Sequence, residues 1–129
     1  MSKALLHNED PGMKQALLRA LEQWGYEGIE IPEAHSIYVA TAIQSPDVLI
    51  IGIRGCGQEQ LEALREIKSD PNTNPVPVII LTAQEPPDAE QEQLWRQHGA
   101  FDVLSNRWTF EQLRSRLQAA VLNRRRNLE

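Results

Sequence analysis

Five times along this chain a short apolar run is followed by a stretch with helical spacing, and that alternation restricts the possible folds more than any other feature. The central run, "PDVLIIGI" (46–53), is apolar without interruption from Val48 to Ile51. A run with no polar alternation reads as a strand buried on both faces of a parallel sheet. The other strand candidates are "KALLHN" (3–8), "YEGIEI" (26–31), "VPVIILTA" (76–83) and "AFDVLS" (100–105). Between and after them lie five helix candidates. "EDPGMKQALLRALEQWGY" (9–26) has Leu17, Ala20, Leu21 and Trp24 on one face, a start signal at Asp10-Pro11 and a stop at Gly25. "PEAHSIYVATAIQS" (32–45), "GQEQLEALREIKSD" (57–70), "PPDAEQEQLWRQHG" (86–99) and "TFEQLRSRLQAAVLNRRR" (109–126) follow. The last has a Leu113, Leu117, Val121 stripe and Thr109 as N-cap candidate, with Glu or Gln read as out of register for a capping box.

Strand and helix in strict alternation give a parallel sheet with helices on both faces, and five units suit the flavodoxin-like order 2-1-3-4-5. At 129 residues the chain fits one domain over 1–129, with a core of about 3–122 and residues 123–129 as a helix end or linker. Hydrophobic residues at 41% and charged residues at 24% describe a globular chain. A net charge of −5 argues against nucleic acid as a whole-surface partner. The single cysteine excludes an internal disulfide and fits a reducing compartment. The opening residues lack the apolar centre of a signal peptide, and no run reaches membrane-spanning length. The expectation is a cytoplasmic protein with no membrane partner.

Three segments, "PDVLIIGI", "NPVPVIILTA" and "HGAFDVLSNRWTFEQL", occur in order and at the right spacing among the five units. There the chain resembles the receiver domain of bacterial two-component response regulators, which typically read PDLVLLDI, IPVIVLTA and AGADDYLTKPF. The resemblance covers about residues 3–122. It implies chemistry in which a carboxylate after the third strand accepts a phosphoryl group. Two acidic residues after the first strand hold Mg²⁺, a Thr or Ser after the fourth bonds the phosphoryl oxygens, and a Lys after the fifth pairs with their charge.

By that resemblance the acceptor slot is Gly52, the acidic pair is Asn8 and Glu9, the hydroxyl is Thr82 and the lysine slot is Asn106. Arg107 stands where a proline usually follows, Val103 at the aromatic switch position and Cys56 in the loop after the third strand. Acceptor, one metal ligand and lysine are therefore absent together. Asp47 cannot replace the acceptor: it lies five residues upstream, about 16 Å away at the wrong end of the sheet and on the other face. Thr82 reads either as the surviving phosphoryl contact or as a strand-end hydroxyl bonded to backbone. His7, Cys56 and His98 match no metal-binding spacing.

These residues imply a pseudo-receiver with no catalysis, no cofactor and no metal, acting through a protein partner. The partner is a signalling protein or the chain's own downstream domain, with a homodimer as a further form. In the family, partners commonly dock on the fourth helix, fifth strand and fifth helix. The corresponding candidates are Trp95, Arg96, Val103, Arg107, Trp108, Gln112 and Arg116. Two alternatives stay open: a phosphorylatable receiver with an unusual acceptor, and a small-molecule domain using the pocket around Asn8, Glu9, Gly52 and Thr82. Further expectations are an Arg54–Glu9 ion pair beside that pocket, a trans Asn106–Arg107 peptide, and a loop that carries Trp108 outward or sideways.

Overall fold

A computed structural model describes residues 1–32, 36–83, 88–105 and 107–128. The strands are β1 (Lys3–His7), β2 (Glu27–Glu30), β3 (Val48–Ile53), β4 (Val78–Thr82) and β5 (Asp102–Leu104). The helices are α1 (Pro11–Gln23), α2 (Ile37–Gln44), α3 (Gln58–Ser69), α4 (Ala89–Gln97) and α5 (Phe110–Leu128). The strands form one sheet in the order β2-β1-β3-β4-β5, and every pairing is parallel. This is the architecture expected from the alternation.

The period of two along each strand divides the core into two layers. Leu5, Leu49, Ile51, Ile53 and Ile80 meet Leu64 and Ile67 of α3 and Trp95 of α4. Ala4, Leu6, Val48, Ile50, Ile79 and Leu81 meet Leu17 and Leu21 of α1 and Leu113, Leu117 and Val121 of α5. All six residues of β3 are buried, as an uninterrupted central strand requires.

The helix starts are set by short polar side chains. Asp10 Oδ1 accepts from the Gly12 and Met13 amides at 3.0 and 3.3 Å, with Pro11 at the first helical position. Ser36 and Asp88 do the same for α2 and α4. Thr109 opens α5 with a reciprocal capping box: Gln112 N donates to Thr109 Oγ1 at 3.1 Å and Thr109 N donates to Gln112 Oε1 at 3.0 Å. The expectation of an out-of-register cap is therefore corrected, because Gln112 is the third helical residue.

The opposite end of the sheet is tied to α5. Asp47 Oδ2 accepts from the Lys3 amide at 2.7 Å, and Arg124 donates to Asp47 Oδ1 at 3.3 Å and to the Pro46 carbonyl. Asp47 is thus a structural residue at the amino end of β3, far from the carboxyl ends where a site forms.

Candidate functional site

The parallel sheet directs the carboxyl ends of β1, β3 and β4 to one edge, where open α/β sheets place their sites. Three of the expected site residues converge there. Asn8, Gly52 and Thr82 line a single cavity of about 140 Å³ with Asp10, Met13, Leu81 and Trp108. Glu9 is turned aside, its Oε1 accepting from Gln60 Nε2 at 3.4 Å. Asn106 lies outside the described residues, and with it the Asn106–Arg107 peptide.

Gly52 is the centre of this site. The alternation along β3 points its missing side chain to the α1 and α5 side, in phase with Val48 and Ile50. A Cβ built there would collide with the side-chain nitrogen of Asn8 and stand 2.9 Å from Asn8 Cγ. The Asn8 amide therefore occupies the space an acceptor side chain would need. It is held by its other end, where Oδ1 accepts from the Asp10 amide at 2.9 Å.

Electrostatics close the same edge. Arg54 reaches across to Asp10, with its guanidinium 3.3 Å from Oδ2. The expected partner was Glu9, and the structure corrects it by one residue. Asp10 is fixed at the start of α1 with one oxygen free of the cap, whereas Glu9 is drawn toward α3 by Gln60. His7, the last residue of β1, carries a buried Nε2 with no hydrogen-bond partner among the described residues. Burial pushes its pKa down, opposed by the nearby Glu9 and Glu59 carboxylates and reinforced by Lys14.

Mg²⁺ takes oxygen ligands in a near-octahedral shell. The residues present do not fit it. Asn8 Oδ1 is bonded to the Asp10 amide, Asp10 to Arg54 and to the α1 cap, and Glu9 to Gln60. No group of three His, Cys, Asp or Glu side chains converges among the described residues. The cavity also lies below the roughly 300 Å³ of ordinary small-molecule pockets.

The expected partner face needs correction at two positions. Trp95 is 2% exposed and Val103 5%, and both belong to the core layer under α3 and α4. Trp95 turns inward because the α4 stripe that covers the sheet passes through it; an indole that large stabilises more by burial than by display. The rest gather on one side. Arg107, Trp108, Gln112 and Arg116, with Val103 at its base, line an open groove of about 710 Å³ beside β5 and α5. Arg96 of α4 and Arg116 of α5 both pair with Asp102 of β5, at 3.0 and 2.5 Å. That carboxylate joins the three elements, a role no local pattern in the sequence announces.

Trp108 is not carried outward. It is half-buried, packs on the α1 and α5 core layer, meets Phe110 edge-on at 5.4 Å between ring centres and forms one wall of the cavity. Arg107, just before it, takes the left-handed conformation at φ 72°. Cys56 is exposed, and its carbonyl accepts from Gln91 Nε2 at 2.6 Å.

Comparisons with known proteins agree with this fold. The model of the family described as "Response regulator receiver domain" matches residues 4–118. The phosphate regulon transcriptional regulatory protein PhoB of Pseudomonas aeruginosa is 26% identical over 117 residues, which cover 91% of this chain and 50% of that protein. Protein PilH of the same organism is 26% identical over 106 residues, 81% of this chain and 85% of its own length. The regulator NtrC of Salmonella typhimurium is 30% identical over 115 residues, 88% of this chain but 24% of that protein. The chain therefore spans about half of PhoB and about a quarter of NtrC. Among solved structures, a response regulator receiver domain protein from Clostridium thermocellum superposes with a TM-score of 0.82 at 27% identity, covering 100% of both chains. The Vibrio cholerae chemotaxis protein CheY4 shares the fold at 20% identity and a TM-score of 0.79, over 93% of this chain and 98% of that one.

Proposed function

The chain belongs to the response regulator receiver family, and on that premise we propose that it acts as a phosphorylation-independent receiver: a protein-docking module of a two-component or related pathway, with no catalysis of its own. One observation carries the reading. At the carboxyl end of β3, where the family places the phospho-acceptor, this chain has Gly52, and the Asn8 amide fills the space beyond its Cα. A phosphoryl group needs an oxygen nucleophile there, and neither glycine nor a carboxamide supplies one at that point. Neighbouring chemistry is consistent with this. Arg54 already neutralises Asp10, and the sequence has Asn106 in the lysine slot.

A receiver without phosphate must present its docking surface at all times. The Arg96–Asp102–Arg116 cluster supports that, since it fastens α4, β5 and α5 together by charges within the chain. The surface we assign to the partner is the groove of Arg107, Trp108, Gln112 and Arg116, with Arg96 bonded to the carbonyl of its lining residue Val103. Its arginines suit a protein surface with exposed carboxylates. We place this activity in the cytoplasm, where two-component partners are found; among the described residues no helix is long and apolar enough to cross a membrane.

The test is direct. The protein is incubated with acetyl phosphate and Mg²⁺ and weighed intact. No change in mass is expected. A stable gain of one phosphoryl group would overturn the reading and show that another side chain serves as acceptor.

A further inference from the structure

Three consecutive residues after β1 each reach a different partner across the carboxyl edge of the sheet. Asn8 fills the space at Gly52 on β3. Glu9 accepts from Gln60 on α3 at 3.4 Å, a contact between residues 51 apart in sequence. Asp10 pairs with Arg54 just past β3 at 3.3 Å, spanning 44 residues. Asn8 is further held by the Asp10 amide, and Asp10 caps α1 through its second oxygen.

From this juxtaposition we propose that Asn8 is an internal plug, and Asp10–Arg54 and Glu9–Gln60 are its latches, so that the chain's own atoms hold the pocket in one state without any ligand. The proposal rests on the phosphorylation-independent reading and extends it to how the pocket is fixed. The physical basis is packing. A glycine inside a buried strand leaves the volume of a side chain unfilled, and an unfilled volume costs contact energy. Asn8 fills it with a group whose oxygen is bonded to the adjacent loop, so rotating the plug away breaks its hydrogen bond to the Asp10 amide. Each latch is weak alone: Arg54 and Asp10 have side-chain exposures of 66% and 44%. Their effect is on position. Together with the Asn8 plug, the two latches tie the β1–α1 loop to the end of β3 and to α3 at three successive residues.

The plug predicts a coupling that simple strand damage does not. In the full chain, Gly52→Ala lowers the melting midpoint by roughly 4–8 °C, because Asn8 must leave its seat. In the Asn8→Ala background the same change costs little, since the new methyl meets Asn8 Cβ at 3.4 Å, an ordinary contact. If Gly52→Ala alone does not fold and the double variant does, the coupling is shown in stronger form. Equal losses in both backgrounds, or failure of both to fold, would overturn the plug. The latch is read separately by hydrogen exchange: Arg54→Gln should speed exchange of the Gly12 and Met13 amides about threefold or more, as Asp10 is loosened at the α1 cap. Unchanged rates would overturn the latch. Neither readout depends on phosphorylation. A phosphoryl gain in the mass experiment with strong coupling here would remove the functional reading and leave the plug standing, and the reverse pattern would do the opposite.

Discussion

Gly52 weakens its strand, since glycine in a buried strand adds entropy cost and no packing. What it makes possible is the inward seat of Asn8. Restoring an acid at that position should therefore not restore chemistry. Gly52→Asp is expected to gain no mass with acetyl phosphate, because the new side chain competes with Asn8 for the same space. A clean single phosphoryl gain would show that the pocket rearranges around an acid at no great cost. His7 gives a second prediction at this scale. Its pKa is lowered by burial, so the folded chain binds fewer protons than the unfolded chain as pH drops below about 6.5. Its contribution is complete above that pH and is lost as pH falls through the lower folded value. Glu9 and Glu59 oppose the shift and Lys14 adds to it. His7→Leu should flatten the fall in urea midpoint between about pH 7.5 and pH 5.5, above the range where carboxylates titrate. A variant with the same slope as the parent would assign the dependence to another group.

Among the elements, α5 and α4 illustrate how a helix is fixed before it can present a surface. The capping box at Thr109 satisfies two amides at the start of α5 and positions Gln112 and Arg116 on the same exposed side. Thr109→Ala is expected to cost about 1 kcal/mol, measured by denaturant unfolding, and a loss within error would mean that water caps the helix equally well. Helix α4 depends on Trp95 instead. Its indole is buried over the start of α3, where Gly57 has φ 65° and a Cβ would meet Ile53 Cγ2 at 2.6 Å and Trp95 Cζ2 at 3.0 Å. Trp95→Ala should cost about 3–5 kcal/mol and loosen α4 from the sheet. A loss near 1 kcal/mol, typical of a surface change, would contradict the burial.

At the scale of the whole molecule, switching requires a ligand that binds two states with different affinity. On the proposed reading, Gly52 stands where an acceptor would be; Val103 of β5 is buried and the pocket edge is tied by its own side chains. One dominant conformation is expected. Relaxation-dispersion NMR should find no shared exchange process linking Thr82 to β5, and a common exchange rate at both would show that two states are populated. Mg²⁺ should leave the calorimetric baseline flat, because the oxygens of the β1–α1 loop are already engaged. A saturable heat would mean that the ion displaces Arg54.

The sequence by itself determined the sheet order, the two-layer core and the presence of a glycine at position 52. These depend on local facts: a strand's period of two, a helix's spacing and the identity of one residue at the end of an apolar run. The capping box was equally local, written in Thr109 and Gln112 and misread by one position. Only the tertiary structure decided what fills the space at Gly52, which of two adjacent carboxylates Arg54 meets, and that Trp95 and Val103 face the core. Each of those outcomes depends on side chains brought together across 44 residues or more, or on a rotation of one helix against the sheet. A run of residues records which face is apolar, and it does not record which neighbour will arrive there. That is set by how the elements pack, where a shift of one residue exchanges one partner for another.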